Sequence, residues 1–115
     1  MGFRYTHKAS VASPGHLAAH VASGATVLIE FAARDAPACR LEEPILSKIL
    51  RRYADRLAVI QADTETSQAD ADAFGVTAVP TFLLFSGGKE KLRRVGFQSF
   101  DDLTRAIDEA MAAAG

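Results

Sequence analysis

Three short apolar runs constrain the fold more than any other feature of the chain. Val27-Leu28-Ile29, Ala58-Val59-Ile60 and Phe82-Leu83-Leu84-Phe85 are continuous, and they are rich in branched or aromatic residues. A strand with one face in water alternates apolar and polar positions, so an unbroken run predicts a strand covered on both faces. Three such runs place a sheet in the middle of the molecule with helices on either side. A fourth segment, residues 91–95, follows the turn residues Ser86-Gly87-Gly88. It is expected to pair antiparallel with the third run, which makes the sheet mixed.

Helical signals occupy the gaps between the runs. Ser13-Pro14 offers a cap followed by a first-turn proline, with Leu17 and Val21 as an i, i+4 pair behind it. The longest helix is expected over about residues 35–53, with Leu41, Ile45 and Ile49 forming one apolar line and Leu46, Leu50 and Tyr53 a second beside it. Pro44 lies inside that span, where it removes one backbone hydrogen bond and is expected to kink the helix. A shorter helix is expected over residues 67–74. The last begins at Ser99, with Asp102 three residues on and Leu103, Ala106, Ile107 and Ala110 facing inward. With a weak first strand near residues 8–12, the order β-α-β-α-β-α-β-β-α is a three-layer α/β/α sandwich around a mixed sheet. A chain of 115 residues suits one domain across residues 1–115, with enough buried surface for a real core.

Composition narrows the function classes. A net charge of −1 gives no broad attraction for nucleic acid or for an anionic membrane surface. No apolar run reaches membrane-spanning length, and the N-terminal Met1-Gly2-Phe3-Arg4-Tyr5-Thr6-His7-Lys8 lacks the apolar centre of a signal peptide. A cytoplasmic location is the default expectation. The single cysteine, Cys39, rules out an internal disulfide and any all-cysteine metal site. His16 and His20 have the i, i+4 spacing that can hold a metal, but no third ligand stands near them in the sequence, so a solvated pair is expected and no metal site is assigned. The arginines at 51, 52, 56, 93 and 94 are offset by Asp63, Glu65, Asp70 and Asp72 and are expected on solvated faces. No glycine-rich phosphate loop follows a strand, since Gly87-Gly88 fits a hairpin, and no cofactor is expected.

The segment Val27-Leu28-Ile29-Glu30-Phe31-Ala32-Ala33-Arg34-Asp35-Ala36-Pro37-Ala38-Cys39-Arg40, continuing into Leu41-Glu42-Glu43-Pro44-Ile45-Leu46, resembles the active-site strand and helix of the thioredoxin family. Phe31, Ala33 and Pro44-Ile45-Leu46 set the register. Gly75-Val76-Thr77-Ala78-Val79-Pro80-Thr81 resembles the family's proline loop, Phe82-Leu83-Leu84-Phe85-Ser86-Gly87-Gly88 its hairpin, and Val95-Gly96 its closing strand. The likeness runs from about residue 8 to 110 without a gap. It implies the thioredoxin-like sandwich, and it puts Cys39 on the second cysteine of the family's Cys-Gly-Pro-Cys motif and Ala36 on the first.

That placement bears directly on chemistry. Dithiol exchange needs one thiolate to attack a partner's disulfide and a second thiol to resolve the mixed disulfide. The attacking position is Ala36, and Cys39 has no companion, so ordinary disulfide reductase turnover is expected to be absent. The resemblance also implies that Ala32 and Asp35 stand where the family has tryptophans. Glu30 stands at its buried aspartate and Gln61 at a lysine beside that acid.

Two residues are candidates for chemistry, each with two readings. Glu30 is either a general acid or base beside Cys39 or an inherited acid that stays protonated or reaches water. Cys39 is either a small buried hydrophobe beneath Ala36 and Pro37 or a thiol left open by the shortened Ala36 and Ala32 side chains and favoured as thiolate by helix-end amides. The resemblance implies that Val79-Pro80 is a cis bond lying against the active-site loop. It further implies that Thr77, Ala78, Val79 and Pro80 form a strand-like docking edge, with Ala36 and Pro37 as the facing rim. Two functions follow: a thioredoxin-like protein that binds a protein or extended peptide without exchange chemistry, or a monothiol redox protein acting through Cys39 in cell redox homeostasis.

Overall fold

A computed structural model of the chain describes residues 10–11 and 16–114. In chain order the elements are β1 (Ser10–Val11), α1 (Leu17–Ala22), β2 (Val27–Ala32), α2 (Pro37–Tyr53) with a 3₁₀ turn at Ala54–Arg56, β3 (Ala58–Asp63), α3 (Gln68–Ala73), β4 (Thr81–Ser86), β5 (Lys89–Val95) and α4 (Phe100–Ala114). The five strands lie in the order β1-β3-β2-β4-β5. β3 runs parallel to both β1 and β2, whereas β4 runs antiparallel to β2 and to β5. Parallel neighbours need a crossover, and α2 supplies it between β2 and β3. The sheet is mixed as the sequence reading expects, and the three apolar runs are its three interior strands. The Ser13-Pro14 cap lies outside the described residues.

Alternation along the interior strands sorts side chains into two cores. Leu28 of β2 joins Phe82 and Leu84 of β4, Leu46, Ile49 and Tyr53 of α2, and Leu103 and Ile107 of α4. Val27, Ile29 and Phe31 point the other way, towards Leu17 of α1, Ile60 and Ala62 of β3, Ala71 of α3 and Leu83 of β4. Period two along a strand makes this division unavoidable. It also puts Glu30, flanked by Leu28 and Ala32, on the face that α2 covers. The β4–β5 hairpin turns through Gly87 and Gly88 at φ 60° and 79°, the left-handed pair that a two-residue hairpin loop requires. β5 is an edge strand with only Leu92 buried, and its charged residues discourage pairing with another chain.

One sequence expectation fails on α2. Leu41 is 64% exposed, not part of an inward line, while Glu42 is fully buried. The buried stripe is Cys39, Glu42, Leu46, Ile49 and Tyr53. These residues follow steps of three and four, so the register fixed by the large residues at 46, 49 and 53 extends back onto Glu42. The hydrophobicity of Leu41 had no weight against that geometry. The helix itself runs unbroken through Pro44. The arginine clusters have structural partners. Arg93 reaches both carboxylate oxygens of Glu90 at 2.9 Å and donates to the Phe74 carbonyl at the end of α3 at 2.8 Å. Arg52 and Arg56 lie against the Tyr53 ring, whose hydroxyl donates to Asp108 Oδ1 at 2.6 Å.

Candidate functional site

The site lies where β2 ends and α2 begins. Ala36 is the residue before the first helical turn, in extended conformation, and Pro37 occupies a first-turn position where its missing N–H costs nothing. The chain turns tightly here: the Ala36 N–H donates to the Ala33 carbonyl at 3.1 Å, and the Cys39 N–H donates to the Ala36 carbonyl at 3.0 Å. These bonds direct the Cys39 side chain inward. Its residue is 1% exposed and packs on Ala32, with Ala36 and Val79 closing over it. The thiol sulfur accepts the Ala33 N–H at 3.5 Å.

A helix N-terminus ordinarily favours a thiolate. Burial outweighs that here and pushes the Cys39 thiol above its ordinary value, the Ala33 N–H opposes it, and the charges of Glu30, Glu42 and Glu43 raise it further. Of the two readings of Cys39, the structure has the buried one. Glu30 is also fully buried, and it accepts a hydrogen bond from Gln61 Nε2 at 3.1 Å. The two residues are register partners on β2 and β3, so strand pairing itself puts the amide beside the acid.

The proline loop completes the arrangement. The Val79-Pro80 peptide is cis. Thr77 and Ala78 are exposed, Val79 is half-buried and Pro80 is buried. The Thr81 hydroxyl donates to the Ala78 carbonyl at 2.6 Å, and the Gly96 N–H donates to the Pro80 carbonyl at 2.7 Å. Ala36, Cys39 and Val79 therefore meet in one cluster. Next to these in the chain Pro37, Thr77 and Ala78 are exposed, while Pro80 is buried.

Sequence reasoning missed four residues at this end of the molecule. Glu42 accepts the Gln98 N–H at 2.8 Å and so fastens α2 to the turn after β5. Among the described residues, Leu41, Val95 and Phe97 are the large apolar side chains left exposed, at 64%, 59% and 47%. Leu41 is next to Glu42 and Phe97 is next to Gln98, so the Glu42–Gln98 bond draws them to the same end, and Val95 pairs with Thr81 beside Pro80. The available signal was the segment Val95-Gly96-Phe97, apolar on both sides of a glycine after a charged edge strand. Among the described residues, no group of three histidine, cysteine or acidic side chains is placed to hold a metal. No helix there is long and apolar enough to cross a membrane. His16 and His20 are both exposed.

A mixed sheet between two helical layers, with a cysteine in the first turn of α2 facing a cis-proline loop, defines the thioredoxin-fold class. The family model described as Thioredoxin matches residues 9–109. The thioredoxin of Chlamydia muridarum is 32% identical over 99 residues, which cover 86% of this chain and 95% of that protein. The thioredoxin of Acidithiobacillus ferridurans is 33% identical over 89 residues, covering 77% and 82%. Among solved structures, a point mutant of thioredoxin from Halobacterium salinarum NRC-1 superposes with a TM-score of 0.80 at 27% identity, over 95% of this chain and 96% of that one. The chain belongs to the thioredoxin family.

Proposed function

We propose that this protein is a thioredoxin-family module that holds a polypeptide partner at the Cys39/Pro80 surface and does not run dithiol–disulfide exchange. The observation that carries the reading is the enclosure of the only thiol, on a residue 1% exposed, with the Ala36 methyl where an attacking sulfur would be needed. Exchange requires two thiols in reach of one another. Cys39 has no second cysteine in the chain, and its own sulfur is closed off from a partner's disulfide. In this reading Cys39 is a packing residue. Glu30 then has no thiol reaction to serve.

The docking face is formed by Ala36, Pro37, Thr77, Ala78 and Val79 over Pro80, and it extends onto Val95 and Phe97. An exposed loop edge beside apolar side chains suits an extended segment, which gains backbone hydrogen bonds and places alternate side chains on the apolar rim. Exposed apolar residues gathered at one end of a small domain support a contact surface of this kind. The partner class agrees with the family, whose members act on protein substrates.

Affinity capture with immobilised protein tests the reading. Wild type and Cys39→Ser are expected to retain the same polypeptides, released without reductant. Ala78→Glu and Phe97→Glu are expected to retain less by about tenfold or more, because burying one uncompensated charge in an apolar contact costs more than a factor of ten in affinity. Partners lost from Cys39→Ser, or released only by reductant, would transfer the function to the monothiol reading. Equal retention by all four proteins would remove the docking face.

A further inference from the structure

Glu42 is a fully buried acid at this end of the molecule, and only one of its two carboxylate oxygens has a hydrogen-bond partner. Its Oε1 accepts the Gln98 N–H at 2.8 Å, while Oε2 is buried without a hydrogen-bond partner. The Gln98 amide belongs to residues 96–99, the connection between β5 and α4, and that connection displays Phe97. The Glu42 side chain therefore ties the connection that carries Phe97 to α2.

We propose that Glu42 is a proton-operated latch on residues 96–99: protonated, it holds the connection against α2, and ionised, it releases the connection so that Oε2 reaches water. The consequence for Phe97 rests on the reading of this face as a docking surface; the latch itself does not. A buried carboxylate with one donor and an unpartnered oxygen is costly when charged and far less so when neutral. Opening lets the proton pass from the carboxyl group to water and leaves the charge solvated.

Charged or titratable groups on the elements around it include Cys39, Arg40, Glu43 and Lys48 on α2, Glu30 on β2, Arg93 and Arg94 on β5, and Asp101, Asp102 and Arg105 on α4. Arg40, Lys48, Arg94 and Arg105 are exposed and Arg93 is engaged by Glu90 and the Phe74 carbonyl, so among these groups no buried cation stands by to stabilise the charge. Burial pushes the Glu42 carboxyl up to about 7, and only the Gln98 N–H opposes it. The latch therefore operates near neutrality.

Amide hydrogen exchange on the full chain tests this without any partner, so it succeeds or fails independently of the capture experiment. After correction for intrinsic exchange, protection of the Gln98 amide is expected to fall roughly tenfold between about pH 6 and about pH 8 in wild type and to stay level in Glu42→Gln. The opening is local, so Gln98 exchange is expected to be insensitive to low urea while that of Leu103 in the α4 core accelerates with it. Should Glu42→Gln fold poorly, the wild-type comparison of Gln98 with Leu103 stands alone. The latch is overturned if Gln98 protection does not change with pH, if the variant shows the same change, or if Gln98 and Leu103 respond alike to urea.

Discussion

Mixed with insulin, a thioredoxin reductase and NADPH, this protein is expected to show no turnover above the protein-free background. A dithiol thioredoxin under the same conditions should be faster on the order of 1,000-fold or more, the usual scale of losing a nucleophile. The expectation follows from the count and placement of thiols. The chain has one cysteine, it is buried, and burial together with the neighbouring acids keeps it as a thiol. The Ala36→Cys variant is the matching gain. Ala36 already packs against Cys39, and it stands three residues before it at the start of α2. A sulfur at position 36 would have the helix-end amides in front of it and Cys39 within bridging reach. Reduced Ala36→Cys should titrate two thiols and oxidised protein none, while wild type titrates one under both conditions. Its turnover should rise above background yet stay below that of a dithiol relative, since Ala32 and Asp35 are unchanged. Insulin reduction by the wild-type chain would contradict the account outright.

The second large effect is on stability. In the folded chain Glu42 has its carboxyl up at about 7, against an ordinary value of 4.5. The folded state therefore holds a proton that the unfolded state has released throughout that interval. Stability from this group is complete below about pH 4.5, and it is lost as the pH rises through about 7. The span is worth about 3 kcal/mol, of which about 2–3 kcal/mol falls between pH 5 and 8. Glu42→Gln retains an oxygen to accept the Gln98 N–H and carries no charge at any pH. Urea unfolding of the two proteins side by side should show a wild-type decline of this size that the variant lacks, so the difference between them isolates the one acid. Parallel curves would mean that Glu42 is solvated in the folded protein.

The interior of the fold was legible because its signal is redundant. Each continuous run, such as Phe82-Leu83-Leu84-Phe85, can only be a strand covered on both sides, and Gly87-Gly88 can only turn the chain tightly. The α4 face, Leu103, Ala106, Ile107 and Ala110, followed from helical period alone and is buried as expected. The start of α2 was less legible because hydrophobicity and geometry disagree there. Leu41 is apolar but lies off the stripe, whereas Glu42 is charged and lies on it. Likeness to a family register could place Cys39 beside Ala36. It could not decide whether the sulfur was open, because that depends on how closely Ala36 and Val79, 43 positions apart in the chain, approach one another. Val95 and Phe97 escaped notice because exposure at the end of an edge strand is a property of the packed molecule. Glu42 holding the Gln98 amide is of the same kind, a long-range contact with no local trace.

The central claim, that the only thiol is shut beneath Ala36 and Val79, is tested most directly by the rate at which an aromatic disulfide reagent labels Cys39. Labelling of the native protein is expected to be slower than that of the urea-unfolded protein by roughly 100-fold or more, since access then requires opening. Native labelling as fast as unfolded labelling would show an open thiol and return the protein to one-thiol chemistry.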